Sequence, residues 1–527
     1  MPRILWADDE IDLLRPHVLF LEAKGYDVDS VTNGADAVAR ARQHRYDVVF
    51  LDEQMPGVGG LDALQEIKAA QPELPVVMIT KSEEEHIMED ALGGQISDYL
   101  IKPVNPKQIL LTVKRLLEGE RIREQKASQD YLQAFGRLSA QLGGRLDVAE
   151  WEEVYSQLVR YDLELEGADE GVRQILGDQY REANAQFTRF VEEAYPGWIA
   201  AAKNGEKPGE TRPPLSHDVV PQWVLPKLKG GRAAEDRPVL FLLIDCMRYD
   251  QWLLFERLLF PLFEVEKDWH VGLLPTATPY SRNAIFSGLL PIDIAARFPR
   301  RWSLNDRDDE ASLNQHEGEF LQDLLSRRHL DVRMRYDKLV SQADGAAFAE
   351  SVRDYLQHDL AAVVVNFVDI LAHSRSDTAI LKEIAPDERA YRALTMAWFE
   401  HSWLYAAFQE LARQDCTVVV TTDHGAIRSL HATKVIGDRE TSTSLRYKYG
   451  RNLKVDDADA IFVKEPETYG LPRTSLNENY IFARSDYYFV YPTNYHRYLN
   501  QYHDTFQHGG VSLEEMLLPV VTLRPRG

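Results

Sequence analysis

With only two cysteines in 527 residues, the chain has no basis for a disulfide framework. Cys246 and Cys416 each lie in or beside an apolar run, so both are expected to be buried reduced thiols, and neither is a candidate metal ligand. Long hydrophobic runs are also missing: no stretch approaches the roughly 20 apolar residues that a helix needs to cross a bilayer. The opening MPRILWADDE lacks an apolar signal core and carries carboxylates where a secretory signal tolerates none, so the expected compartment is the cytoplasm. Basic residues are in deficit, 60 Lys and Arg against 83 Asp and Glu, and the formal charge of −23 argues against nonspecific adhesion to nucleic acid or anionic membrane. No recognition-helix motif offsets that charge, which disfavours a DNA-binding regulator. One segment runs the other way. From Arg428 to Lys454 the basic residues Arg428, Lys434, Arg439, Arg446, Lys448, Arg451 and Lys454 face only Asp438 and Glu440, which suits either contact with a phosphorylated substrate or a solvated loop.

The length predicts several domains. Residues 1–118 alternate short apolar runs (RILWAD, YDVDSV, YDVVFLD, LPVVMIT, ISDYLI) with amphipathic stretches of helix length, the pattern of a parallel sheet wrapped by helices. From 119 to 205 the strand signals vanish and Glu, Gln, Arg and Leu repeat with helical periodicity, which predicts a helical bundle connector. The Pro, Gly and Lys-rich stretch that follows predicts a linker over 206–236. Beyond it, VLFLLIDC, AAVVVNFVD and CTVVVTTDHG are near-continuous apolar runs of the kind that form strands buried on both faces, so 237–527 is expected to be a second, larger α/β domain.

The predicted strands of the first domain end in chemistry. The first leads into Asp8 and Asp9, the third ends in Asp52, the fourth in Thr80, and the fifth is followed by Lys102. Carboxyl ends of strands in a doubly wound sheet converge on one crevice, so these side chains are expected to share a pocket. Asp52 attacks a phosphoryl donor only if the growing charge is neutralised, a task suited to Mg²⁺ held by Asp8 and Asp9 together with the Lys102 ammonium; the Thr80 hydroxyl then bonds a phosphoryl oxygen. The set DDE at 8–10, LDEQMPG at 51–57, Thr80 and DYLIKP at 98–103 resembles the receiver domain of two-component response regulators. The resemblance implies a (βα)5 flavodoxin-like fold, Asp52 as phosphoacceptor, Mg²⁺ ligation by Asp9 and Asp52 aided by Asp8 and the Gln54 carbonyl, and Tyr99 as an aromatic that moves with Thr80. Lys81 departs from the pattern, because a small residue most often follows that threonine.

Three buried strands of the larger domain also finish in potential ligands: Asp245, Asp369 and the pair Asp423-His424. His373 lies four residues beyond Asp369, so one helical turn would set both on one side, and His508 sits beside glycines that permit close backbone approach. Carboxylates and imidazoles suit catalytic Zn²⁺. PTATPYSRN supplies a hydroxyl, from Thr278 or from Thr276, that becomes a nucleophile at phosphorus when a metal activates it. The order Asp245, Thr278, Asp369, His373, Asp423, His424, His508 resembles the alkaline phosphatase superfamily, and more narrowly its PglZ branch. That resemblance implies one zinc held by Asp245, Thr278, Asp423 and His424, a second held by Asp369, His373 and His508, and covalent phosphodiesterase chemistry at Thr278. Arg282 and Asn283 are candidates for gripping phosphate oxygens. Pro279 stands where nucleotide pyrophosphatase relatives place an aromatic, which leaves substrate preference open. The whole arrangement resembles the PorX-type response regulators. That likeness implies a sensor histidine kinase as phosphodonor, dimerisation through the receiver, oligonucleotide or cyclic nucleotide substrates, and contacts with a sigma factor and the type IX secretion machinery. The rival class is a signalling scaffold whose metal domain binds a nucleotide or partner without turnover.

Overall fold

A computed structural model of the chain describes residues 2–526 except 72–73, 81–95, 229–236, 303–313, 372–382, 384, 386, 439–441, 443, 474 and 494, and leaves the side chains of 118–123, 497 and 500 undescribed. Among the described residues, no helix is long and apolar enough to cross a membrane. The chain divides into two compact units, Met1–Leu132 and Gln133–Gly527.

The first unit contains β1 (Arg3–Ala7), β2 (Asp27–Val31), β3 (Val48–Asp52), β4 (Val76–Thr80) and β5 (Asp98–Ile101), all parallel, in the order β2-β1-β3-β4-β5. That is the flavodoxin-like doubly wound order. β3 and β4 are buried at every position because helices cover both faces, which is why they read as continuous apolar runs. The helix Pro106–Leu142 then runs straight through the boundary expected at residue 118. Gly119 is the only helix breaker near that point, and one glycine costs only about 1 kcal/mol in a helix interior.

Two further helices, Val148–Glu164 and Glu170–Lys203, follow in the second unit. Asp147 and Glu150 form a reciprocal capping box that starts the first of them, worth about 1 kcal/mol, and Asp169 caps the second through the Gly171 N–H. The stretch expected to be a linker is not a free tether over its described part. Leu215, Val219, Val220, Val224 and Leu228 are fully buried, Leu215 bridges to Val271, and Arg212 and Asp218 form an ion pair. Its prolines break periodicity without preventing burial, which is why the sequence reads as loop.

The six-stranded sheet that follows has the order β7-C-terminal strand-β10-β6-β9-β8, with β6 (Val239–Ile244), β7 (Phe263–Val271), β8 (Met334–Leu339), β9 (Leu360–Val365), β10 (Thr417–Thr421) and the C-terminal strand Leu517–Pro525. β10, β6, β9 and β8 are parallel, and the C-terminal strand is antiparallel to both its neighbours. β6, β9 and β10 are buried at every position, and each Val, Leu or Ile so buried contributes about 1.5–3 kcal/mol. Their register aligns Ile244 with Val365 and Leu243 with Thr421, so the residues after each strand emerge along one edge. Both cysteines are free and buried.

Candidate functional site

In the first unit, Ala7 pairs with Leu51, which brings Asp8 beside Asp52 at the ends of β1 and β3. Asp8 and Asp52 are buried, Asp9 is exposed, and one oxygen from each carboxylate lies within 4.8 Å of the others. Lys102 Nζ stands 3.0 Å from an oxygen of Asp8 and 3.0 Å from one of Asp52. Burial pushes the Asp52 carboxyl up; the Lys102 hydrogen bond opposes this and Asp8 and Asp9 add to it. Three hard oxygens with one member open to water suit Mg²⁺. The backbone passes close behind: a Cβ on Gly60 would lie 2.3 Å from the Asp52 carbonyl oxygen, so only glycine fits there. Thr80 ends β4 and is buried, Tyr99 packs partly buried against the core, and Gln54 is exposed in the loop after β3. Lys81 lies outside the described residues.

In the second unit, Asp245 follows β6 directly. Cys246 turns the chain in the left-handed backbone region at φ 62°, a conformation that costs a non-glycine residue on the order of 1–3 kcal/mol. The turn is clamped to the end of β10: Cys246 N donates to Asp423 Oδ1 at 3.4 Å and Met247 N to Thr422 Oγ1 at 3.1 Å. Asp245, Asp423 and His424 are all buried and offer ligand atoms within 4.8 Å of one another. Thr278, at the start of helix Thr278–Ser287, places its Oγ1 3.0 Å from His424 Nε2. His424 Nδ1 lies 3.1 Å from the Gly425 carbonyl oxygen, which can only accept, so Nδ1 carries the proton and the Nε2 lone pair faces Thr278 and Asp245. Burial holds the His424 imidazole down at about 4, with His508 adding to the effect, so it is neutral at pH 7. A Cβ on Gly425 would lie 1.9 Å from the Glu514 carbonyl oxygen, so glycine is required where this loop passes the C-terminal segment.

His508 stacks on His424 with ring centroids 4.1 Å apart, and its Nε2 lies 4.0 Å from Asp369 Oδ1. His373, the third member expected of that set, lies outside the described residues. Thr276 is spent on structure: its Oγ1 donates to the Gly510 carbonyl at 2.8 Å and accepts from Gly509 N at 3.1 Å. That leaves Thr278 as the hydroxyl in the cradle.

The donor set fits a divalent cation. It combines two carboxylates with an imidazole whose lone pair faces inward, and Asp245 Oδ1 is buried with no hydrogen-bond donor among the described residues. Burial pushes the Asp245 carboxyl well up, with Arg282 opposing it; at Asp423, Arg282 and His424 outweigh burial and hold the carboxyl down. Arg282, expected to grip phosphate, is placed differently. Its side chain is 0% exposed, its Nε donates to Asp423 at 2.9 Å, and its other arm pairs with Asp245. Asn283 donates its amide to the Pro279 carbonyl, one turn back, at 2.8 Å. Thr278 and Arg282 lie four residues apart on one face of helix Thr278–Ser287, a spacing that could have pointed Arg282 into the cradle.

The basic segment 428–454 presents less free charge than its composition suggests. Arg446 pairs with Glu515 and Arg428 with Asp504, and Lys448 is buried with its ammonium on the Ser442 and Ser444 carbonyls. Among the described residues Lys434, Arg451 and Lys454 remain exposed, while Arg439 lies outside them. The reason is tertiary: acids distant in sequence pair Arg428 and Arg446, and backbone carbonyls hold Lys448.

Comparison with known proteins covers both units. Residues 4–114 match the family model of the response regulator receiver domain, 121–199 that of the PorX response regulator linker domain, and 219–523 that of the BREX system PglZ alkaline phosphatase-like domain. Protein PilH of Pseudomonas aeruginosa is 36% identical over 124 residues, which is 23% of this chain and 100% of PilH. The transcriptional regulatory protein ResD of Bacillus subtilis is 33% identical over 115 residues, 22% of this chain and 48% of ResD. The chain thus spans about half the length of ResD, and likewise 49% of the probable transcriptional regulatory protein TcrX of Mycobacterium tuberculosis. Among solved structures, chemotaxis protein CheY4 of Vibrio cholerae is 30% identical over 22% of this chain and 99% of its own, with a TM-score of 0.21.

Proposed function

Because the chain belongs to the PglZ alkaline phosphatase-like family, with a receiver and a PorX-type linker ahead of that domain, we propose that its phosphorylated receiver controls a zinc-dependent phosphodiesterase. The observation that carries this reading is the cradle of Asp245, Asp423 and His424, with the Thr278 hydroxyl 3.0 Å from an imidazole lone pair. Asp245, Thr278, Asp423 and His424 would hold one zinc, and Asp369 and His508, with His373, the other. Bound zinc supplies Lewis-acid stabilisation of charge at phosphorus and lowers the pKa of the nucleophilic hydroxyl. The chain's own groups do the rest. Thr278 Oγ1 gives up its proton to solvent and attacks phosphorus as the bond to the leaving oxygen breaks, and the leaving alcohol takes one proton back from solvent. Water then cleaves the phosphothreonine, restoring the hydroxyl. His424, neutral and fixed by the Gly425 carbonyl, keeps its Nε2 in the cradle beside Thr278, where that lone pair would bind the zinc.

In the receiver, Asp52 takes a phosphoryl group in a pocket where Lys102 offsets the added charge; Asp8, Asp9 and Asp52 would hold a Mg²⁺ that would add to this. A dianion at Asp52 biases a two-state surface that includes Thr80 and Tyr99, which in turn favours a dimer. By resemblance, the phosphodonor is a sensor histidine kinase, the substrate is an oligonucleotide or cyclic nucleotide, and the output reaches a sigma factor and type IX secretion.

The test is zinc-supplemented hydrolysis of bis-p-nitrophenyl phosphate by the full chain. Wild type is expected to turn over, and Thr278→Ala and His424→Ala to lose at least about 1,000-fold. Equal rates in all three would overturn the reading. A catalytically silent, nucleotide-binding or partner-binding scaffold is the second reading, favoured by one observation: Arg282 already places a cation against both cradle carboxylates.

A further inference from the structure

The turn that carries Asp245 ends in Arg248, and a buried chain of charges runs from there to the linker. Arg248 is 2% exposed; its Nε donates to Asp250 Oδ1 at 3.0 Å, and one of its terminal nitrogens reaches Glu388 Oε2 at 3.0 Å. Asp250 Oδ2 in turn accepts from Arg392 at 3.3 Å. Arg392, also 2% exposed, extends the chain outward. It donates to Asp162 Oδ2 at 2.5 Å and to Glu166 Oε1 at 2.9 Å. Asp162 lies in the last turn of the linker helix Val148–Glu164, and Glu166 lies just beyond its end. A second strut runs parallel, since Gln251 Nε2 donates to Thr395 Oγ1, one turn beyond Arg392, at 3.2 Å.

Two features make this chain more than a surface decoration. First, four carboxylates share two guanidinium groups, so Arg392 is the only described cation that meets both linker acids and the acids of the catalytic domain. Without it, like charges on the two sides would face each other across a half-buried seam with no described cation between them. Second, apolar packing closes the seam only further back along the helix, where Tyr155 meets Tyr249 and Trp269; at the helix end a cavity of about 500 Å³ opens beside the chain, walled by Asp162, Glu166, Glu388 and Arg392 with Tyr180 and Glu514. The ion pairs, with the Arg389 bond to the Glu166 carbonyl, therefore hold the end of the linker helix, while the Tyr155 ring contacts hold its middle.

We propose that Arg392 is a positioning residue: through Asp250 and Arg248 it lets the linker helix fix the Asp245–Arg248 turn, and with it the geometry of the metal cradle. This rests on the reading of that cradle as a zinc site. Displacing the helix end would loosen the turn, so the linker sets metal affinity as well as connecting the domains.

The experiment measures zinc affinity of the full chain by competition with a chromophoric chelator, with circular dichroism melting as the control for folding. The variants are Arg392→Gln, the linker pair Asp162→Asn/Glu166→Gln, and Glu153→Gln on the exposed face of the same linker helix. The linker acids are 36% and 31% exposed and lie outside the catalytic core, so this pair carries the test if Arg392→Gln does not fold. Outer-shell partners of metal ligands typically contribute 10–100-fold to affinity, and the linker pair, further out, is expected to weaken zinc by about 10-fold. Arg392→Lys, which keeps the charge, should recover part of the loss, and Glu153→Gln should bind as wild type does. A folded linker-pair variant with wild-type zinc affinity would overturn the inference while leaving the zinc reading intact. A wild-type chain that binds no zinc would overturn both.

Discussion

Arg446→Met is the substitution whose cost the structure fixes most sharply. Arg446 and Glu515 are both 0% exposed and meet in a two-pronged pair, with Nε 3.0 Å from Oε1 and a terminal nitrogen 2.5 Å from Oε2. Glu515 also accepts from Gly510 N at 2.9 Å and from the Ser512 hydroxyl at 2.8 Å. Methionine fills part of the volume but strands the carboxylate in the interior. Breaking a buried pair from one side costs about 3–5 kcal/mol, against about 0–1 kcal/mol for an exposed one, and complete burial places this pair in the first class. On a domain stability of about 5–15 kcal/mol that is roughly a fifth or more of the total. Adding Glu515→Gln keeps an acceptor for Gly510 and removes the stranded charge, so the double variant should be more stable than the two single losses predict, with a coupling of at least about 2 kcal/mol. Urea unfolding followed by tryptophan fluorescence is the assay. Eight of the nine tryptophans lie in the second unit, so the signal reports that unit rather than the receiver. A single-variant loss below about 1 kcal/mol, or additive losses in the cycle, would refute the assignment of this pair as a buried anchor of the His508 loop.

Beryllofluoride is expected to convert wild type to the proposed dimer and to leave Asp52→Asn monomeric, read by size-exclusion chromatography; a variant that still dimerises would detach assembly from that carboxylate. Thr276→Val should lower stability by about 1–3 kcal/mol, because the backbone groups of Gly509 and Gly510 lose their partner, whereas Thr278→Val should change stability little and abolish turnover. Burial holds the His270 imidazole down at about 4, against 6.5 for a free histidine, so the folded state binds fewer protons between those values. Its stabilising contribution is complete above pH 6.5 and is lost as pH falls toward 4, by about 3 kcal/mol; His270→Gln should flatten the acid limb of urea stability by a similar amount. Gly425→Ala places a Cβ 1.9 Å from the Glu514 carbonyl oxygen and should cost at least about 1–3 kcal/mol in the same unfolding assay.

Much of the chemistry was legible because it sits at strand ends. VLFLLI, AAVVVNFV and CTVVVTT announce strands covered on both faces, and whatever polar residue follows such a run must emerge at the sheet edge. Asp245 and the Asp423-His424 pair do so, as do Asp8 and Asp52 in the first unit. The 37-residue helix Pro106–Leu142 and the buried stretch after residue 206 were less legible, because one glycine does not end a helix and a proline-rich segment packs as readily as it dangles.

By itself, the sequence determined the alternation of strands and helices, the residue types at the strand ends and the deficit of basic charge, because each of these follows from local periodicity and composition. Tertiary structure alone decided where the charges go. Arg282 meets Asp423 across 141 residues and Arg446 meets Glu515 across 69, and Arg392 reaches back 230 residues to Asp162. Ion pairing in a dry interior is strong enough to select such partners, but it depends on distance in space and leaves no periodic trace along the chain.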